Sequence, residues 1–173
     1  MACFYFDFAA QREQSATSIL GALLRQVVGD LWGIPKEVRG AFQRHKKVIG
    51  GRRLQLPETV KLLGNISSRR RTFFCLDALD ECAAAERTKI FFSLKDIIKM
   101  SPTTRVFLTG RPHITSEVEE HLPGRAALVS ISPRKGDIIG YINTRLAEGT
   151  TPEVMDEGLR TEIVKILETV SDM

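Results

Sequence analysis

Phe73-Phe74-Cys75-Leu76-Asp77-Ala78-Leu79-Asp80-Glu81 runs from an unbroken apolar stretch straight into three carboxylates. A short continuous apolar run of this kind, beginning at Thr72, is expected of a parallel strand covered on both faces. Ligands of open parallel sheets bind outside the carboxyl ends of the strands, which is where Asp77, Asp80 and Glu81 fall. A carboxylate in that place can hold Mg²⁺ directly or through its water shell. A second acid can orient or deprotonate a water that attacks a terminal phosphate. Asp77 suits the first role, and Glu81 with Asp80 suits the second. The plainer alternative is that Asp80 or Glu81 caps the following helix while the other acids are solvated.

Downstream, Arg87 to Lys99 places Ile90, Phe91, Leu94, Ile97 and Ile98 on one helical face, and Pro102 ends that helix before the strand-like Arg105 to Thr109. Gly110-Arg111-Pro112-His113 follows, so Thr109 and Arg111 also stand at a carboxyl strand end. A fixed guanidinium there can donate to phosphate oxygens and report whether the terminal phosphate is present. Pro112 biases Arg111 toward extended backbone; a surface turn is the alternative. His113 reads as structural or solvated, and His45 and His121 have no identifiable partner. A short helix over Ile114 to Leu122, a strand over Ala127 to Ile131, and helices over Asp137 to Leu146 and Leu159 to Val170 complete this side of the chain.

Upstream, Cys3 to Phe8 suits a strand. Ser15 can cap a helix whose Ile19, Leu20, Leu23, Leu24 and Val27 share one side. Pro35 opens a short helix through Phe42, Gly50-Gly51 breaks the chain, and Pro57 opens a helix with Val60, Leu63 and Ile66 inward. This alternation of strands and helices predicts an α/β fold built on a parallel sheet.

The 173 residues fit one domain or part of one. No segment approaches the ~20 consecutive apolar residues of a membrane-spanning helix, and the first residues do not resemble a secretory signal. A soluble, cytoplasmic protein without membrane contact is expected. Cys3, Cys75 and Cys82 are scattered without paired spacing and read as reduced thiols. The net charge of +4 is concentrated in Arg44 to Arg53 and Arg69-Arg70-Arg71. No aromatic residue interleaves these runs, so they read as solvated helix connections or contacts with another domain rather than a nucleic-acid surface.

The acidic stretch resembles the Walker B segment of NACHT-type signal-transduction NTPases of the nephrocystin-like kind: an apolar strand, Asp, a small residue, an apolar residue, then Asp-Glu. That resemblance implies that Asp77 is the Mg²⁺-associated aspartate and that Asp80 and Glu81 are the acidic pair linked to hydrolysis. Thr109-Gly110-Arg111-Pro112 resembles the sensor segment of the same family, which implies Arg111 as γ-phosphate sensor with Thr109 as its strand-end neighbour. CFYFDF and the Ser15 helix look like the strand and helix after the family's phosphate-loop helix. Ser130 to Ile142 resembles the elements that close the nucleotide-binding core. In complete relatives the resemblance implies Mg²⁺ with ATP or GTP, setting an open or closed state that controls assembly.

One departure stands out: no glycine in this sequence precedes a lysine, so the Gly-Lys-Ser or Gly-Lys-Thr phosphate loop is missing. The expectation is an incomplete P-loop NTPase-like sheet flanked by helices, without the phosphate-loop strand. Residues 1–147 would form the partial core, and 148–173 would begin the next helical subdomain. In the family the missing strand lies between the Arg105–Thr109 and Ala127–Ile131 equivalents, so its loss bares strand edges. A chain of marginal stability, one that rearranges its sheet, or one that pairs with another protein is expected. No measurable nucleotide hydrolysis and at most weak nucleotide binding follow for this chain alone. A non-catalytic adaptor that pairs with a homologous NACHT protein or with itself is the second expectation.

Overall fold

The computed structural model describes residues 1–46, 54–124, 126–132, 134–147 and 157–171. The expected glycine break at Gly50-Gly51 and most of the first basic run lie outside them. Residues 1–126 make one compact unit and residues 127–173 a second; the boundary expected after residue 147 adjoins residues outside the described set.

The first unit carries strands β1 (Ala2–Tyr5), β2 (Phe73–Asp77) and β3 (Arg105–Leu108) in one parallel sheet, in the order β1-β2-β3. Helices α1 (Ala16–Gly29), α2 (Lys36–Lys46) and α3 (Leu56–Ser67) connect β1 to β2, α4 (Ala84–Met100) connects β2 to β3, and α5 (Thr115–His121) follows. The register sets Cys3 opposite Cys75 and Tyr5 opposite Asp77 on one side of β2, and Cys75 opposite Phe107 on the other.

The start of α1 is set by Ser15, whose side chain accepts from the Ser18 backbone N–H. Its apolar stripe, Ile19, Leu20, Leu23, Leu24 and Val27, is buried, as are Val60, Leu63 and Ile66 of α3 and Ile90, Phe91, Leu94 and Ile97 of α4. These stripes meet Ala2, Phe74 and Leu76 from a single face of the sheet in one core. The alternate residues of β2, Phe73 and Cys75, are only half-buried, and Phe107 on β3 is 59% exposed. The expectation that β2 is covered on both faces is therefore corrected. The cause is topological: right-handed crossovers between parallel strands laid down in sequence order all place their helices on the same side.

A second correction concerns Ala127 to Ile131. No strand forms there, and Leu128, Val129 and Ile131 are exposed. The neighbouring strand to which that run would bond is not among the described residues, and an apolar run alone supplies no ladder partner. In the second unit α6 (Lys135–Ala147) packs on α7 (Glu157–Ser171), with Arg160 donating from Nε and Nη2 to Asn143 Oδ1 at 3.1 and 3.0 Å.

Basic side chains of the first unit act within the fold. Arg70 Nη2 donates to the Val27 carbonyl at 3.0 Å near the end of α1, where a cation also complements the helix dipole. Arg69 pairs with Glu37 at 2.9 Å. His121 does have partners, since its ring lies 5.4 Å from that of Phe91 and 5.2 Å from that of Phe92.

Helix α3 packs on α4, and at Gly64 an added Cβ would collide with Met100 Cε and lie 3.0 Å from Met100 Cβ. Gly64→Val is expected to destabilise the chain by about 1–3 kcal/mol through overpacking. Met100→Ala in the same chain should recover part of that loss, a non-additivity read by urea denaturation of the single and double variants.

Candidate functional site

Because β2 and β3 are parallel and in register, their carboxyl ends emerge side by side. Thr109, one residue past β3, is tied to the end of β2 through its backbone and its hydroxyl. Its N–H donates to the Leu76 carbonyl at 3.0 Å, and its own carbonyl accepts from Leu79 N–H at 2.8 Å. Its Oγ1 accepts from Ala78 N–H at 2.9 Å and donates to Asp77 Oδ1 at 2.5 Å.

The chain reverses sharply after Asp77. Ala78 has φ 56° and ψ 45°, the one positive φ outside glycine among the described residues. A left-handed conformation costs a residue with a Cβ roughly 1–2 kcal/mol, and a small side chain keeps that cost low. The turn Leu79–Glu81 follows, pinned by the fully buried Leu79. Gly110 passes close to this turn: an added Cβ would stand 2.7 Å from Ile114 Cδ1 and 3.4 Å from the Asp80 backbone nitrogen.

The turn sends Asp80 inward, its side chain 7% exposed, and Arg111 Nε reaches its Oδ2 at 3.5 Å. Arg111 is itself 75% exposed, so this pair adds little to stability. Its backbone is extended, φ −71° and ψ 156°, as the following proline requires. Glu81 faces the other way. Its Oε2 accepts from Phe8 N–H at 2.9 Å and its carbonyl accepts from Gln11 Nε2 at 2.9 Å, which ties the turn to the segment just beyond β1. Neither Asp80 nor Glu81 caps α4, whose N-cap position is held by Ala83 without a side-chain bond.

All five residues singled out in the sequence thus stand at the carboxyl edge of one sheet. Asp77 with Thr109 and Asp80 with Arg111 form two contacting pairs, and Glu81 sits on the β1 side. Among the described residues no group of three or more His, Cys, Asp or Glu side chains could hold a metal ion. A divalent cation at Asp77 would need water or ligand oxygens for most of its shell, which is how Mg²⁺ is ordinarily bound.

Arg87 escaped the sequence reading. It donates through Nε and Nη2 to both carboxylate oxygens of Glu117, at 2.6 Å each. Nη1 reaches the Cys82 carbonyl at 2.8 Å and the Asp80 carbonyl at 3.4 Å. Its side chain is 8% exposed, against 32% for Glu117. Arg87 therefore clamps the acidic turn and α5 to the start of α4. The signal was present, since Arg87 falls on the same helical stripe as Ile90, Phe91, Leu94 and Ile97, a core position where a charge requires a partner. Glu86 was missed too; its Oε2 accepts from Ala16 N–H at 2.7 Å at the start of α1.

Two outcomes are expected here. Ala78→Gly should raise stability by about 0.5–1 kcal/mol by releasing the left-handed strain, measured by chemical denaturation. The hydrogen-bonded guanidinium of Arg87 holds the Glu117 carboxyl below its ordinary value of 4.5. A depressed folded-state value stabilises the fold above the unfolded value, and that contribution is lost as pH falls through the folded one. Glu117→Gln should therefore cost about 1–3 kcal/mol at neutral pH, and the gap from the unsubstituted chain should close as pH drops below 4.5. Denaturation midpoints across an acid series check this.

No curated protein and no solved structure matches the chain. The family model described as Nephrocystin 3, N-terminal, matches residues 1–111, which takes in all three strands, the acidic turn and Arg111. On that match, which spans more than half of its length, the chain belongs to the nephrocystin 3 N-terminal family.

Proposed function

We propose that this rim is the Mg²⁺- and terminal-phosphate-facing part of the nucleotide site of a NACHT-type, P-loop NTPase-like molecular switch. The observation that carries the reading is the bond from Thr109 Oγ1 to Asp77 Oδ1 across the ends of neighbouring parallel strands, with Arg111 one turn away on Asp80. Thr109 orients the Asp77 carboxylate, leaving Oδ2 for a cation or its water. Arg111, held loosely on an exposed arm, exchanges Asp80 for a phosphate oxygen when a triphosphate is present; guanidinium–phosphate pairs are strong and directional. Asp80 and Glu81 supply the carboxylates for positioning water. Mg²⁺, when bound with ATP or GTP, would neutralise charge on the phosphates.

The chain has no Gly-Lys-Ser or Gly-Lys-Thr loop to cradle those phosphates, so weak binding and no turnover are expected of it. The test is a Mg²⁺–ATP and Mg²⁺–GTP titration followed by amide NMR. Shifts at millimolar nucleotide should gather on residues 77–81 and 109–111, vanish without Mg²⁺ and vanish in Asp77→Asn, while phosphate release stays at background. Shifts confined to other elements, or none at all, would sink the reading.

The bare side of the sheet favours a second reading, a non-catalytic adaptor that pairs with a homologous NACHT protein or with a second copy. The register of β3 directs the backbone groups of Arg105 and Thr109 toward β2, which leaves those of Val106 and Leu108 facing outward. Such an edge is a template for strand addition. Stable co-purification with a P-loop-containing homologue, abolished by Val106→Pro, distinguishes this reading.

A further inference from the structure

Cys3 on β1 and Cys75 on β2 are direct partners in the parallel register, and both are half-buried. Facing residues on neighbouring strands have their Cα atoms roughly 4.8 Å apart, inside the ~4.4–6.8 Å range that a disulfide spans. Strand alternation points both side chains to the same face, the one opposite the helices, where Phe73 and Phe107 also lie. Cys3 is also held from its other side: its N–H donates to Gln26 Oε1 at 2.9 Å, and its carbonyl accepts from Gln26 Nε2 at 2.8 Å. β1 is thus fixed against β2 and against α1 at the residue that carries the first thiol.

We propose that Cys3 and Cys75 are a dithiol modification site that closes to an intramolecular cross-strand disulfide under peroxide. The first thiolate attacks one peroxide oxygen, breaks the O–O bond and becomes a sulfenic acid, with hydroxide taking up a proton to leave as water. The second thiol's sulfur then displaces the sulfenic hydroxyl, which departs as a second water with the thiol proton. Two thiols and one hydrogen peroxide give one disulfide and two waters, and the sulfurs supply the two electrons. Cys82 does not take part: it is buried beneath the acidic turn, and burial pushes its thiol up to about 11.

The experiment uses the unsubstituted full chain, so the principal readout does not depend on any variant folding. The folded protein is treated with limiting hydrogen peroxide, remaining thiols are alkylated after denaturation, and peptides are mapped without reductant. The expected product is a single linked peptide joining Cys3 to Cys75, with loss of two hydrogens from the intact mass and Cys82 alkylated. Cys3→Ser and Cys75→Ser should each abolish it, and oxidation in denaturant should scatter the linkage among all three cysteines. Reduction should restore the starting mass and lower the denaturation midpoint, because the link constrains the unfolded chain. Oxidation to separate sulfinic acids without a linked peptide, linkage to Cys82 in the folded chain, or a link joining two chains in a mixture of isotope-labelled and unlabelled protein would each overturn the proposal.

Discussion

The handedness of the strand connections governs much of this molecule. Parallel strands in sequence order, joined by right-handed crossovers, leave the helices no choice of side. The stripes of α1, α3 and α4 therefore converge on Phe74 and Leu76 and build one core, while Phe73, Cys75 and Phe107 are left on the other face. Their parallel alignment brings the carboxyl ends of all three strands to one edge, so residues distant in sequence become neighbours, Phe8 with Glu81 and Asp77 with Thr109. Covering the second face requires a reversal of strand order, which the three strands do not contain.

The acidic edge is a hydrogen-bonded assembly rather than a set of free carboxylates. Asp77 is engaged by Thr109, Glu81 by the Phe8 amide, and the turn between them by Arg87 through its carbonyls. The left-handed Ala78 is the point of strain in this assembly, and the bonds on either side of it hold the strain in place. Arg111 is the exception. It leaves the scaffold on an exposed arm and touches the edge through a single long ion pair, so of these side chains it is the one most free to change partners.

Much of this was legible in the sequence because it rests on local pattern. The apolar stripes of α1, α3 and α4, the Ser15 cap, the apolar runs of β1, β2 and β3, and the extension that Pro112 imposes on Arg111 are each written within a few residues. What escaped depends on pairing across distance. The Ala127–Ile131 run has a strand's composition, but a strand exists only with a neighbour, and composition does not supply one. The two-sided cover expected for β2 failed because an apolar run does not say how many crossovers lie on each face. The clamp from Arg87 to Glu117 joins residues on two helices with β3 between them in sequence; the first was visible as a charge in an apolar stripe, but its partner was not. Cys3 and Cys75 looked scattered because sequence separation hides the register that sets them opposite each other.

The amide of Gln26 occupies the outer side of β1 at Cys3, presenting one acceptor and one donor as the backbone of an adjoining strand would. Gln14 does the same more loosely at Asp7, accepting from its N–H at 3.4 Å and donating to its carbonyl at 3.2 Å. The two flanks of the sheet are therefore unequal. Among the described residues of the first unit, lateral growth by β-addition is blunted beside β1 and not beside β3, which gives the sheet a polarity: an assembly that extends it from that flank would be one-ended, and two copies joined through it would meet by the same flank and stop at a pair.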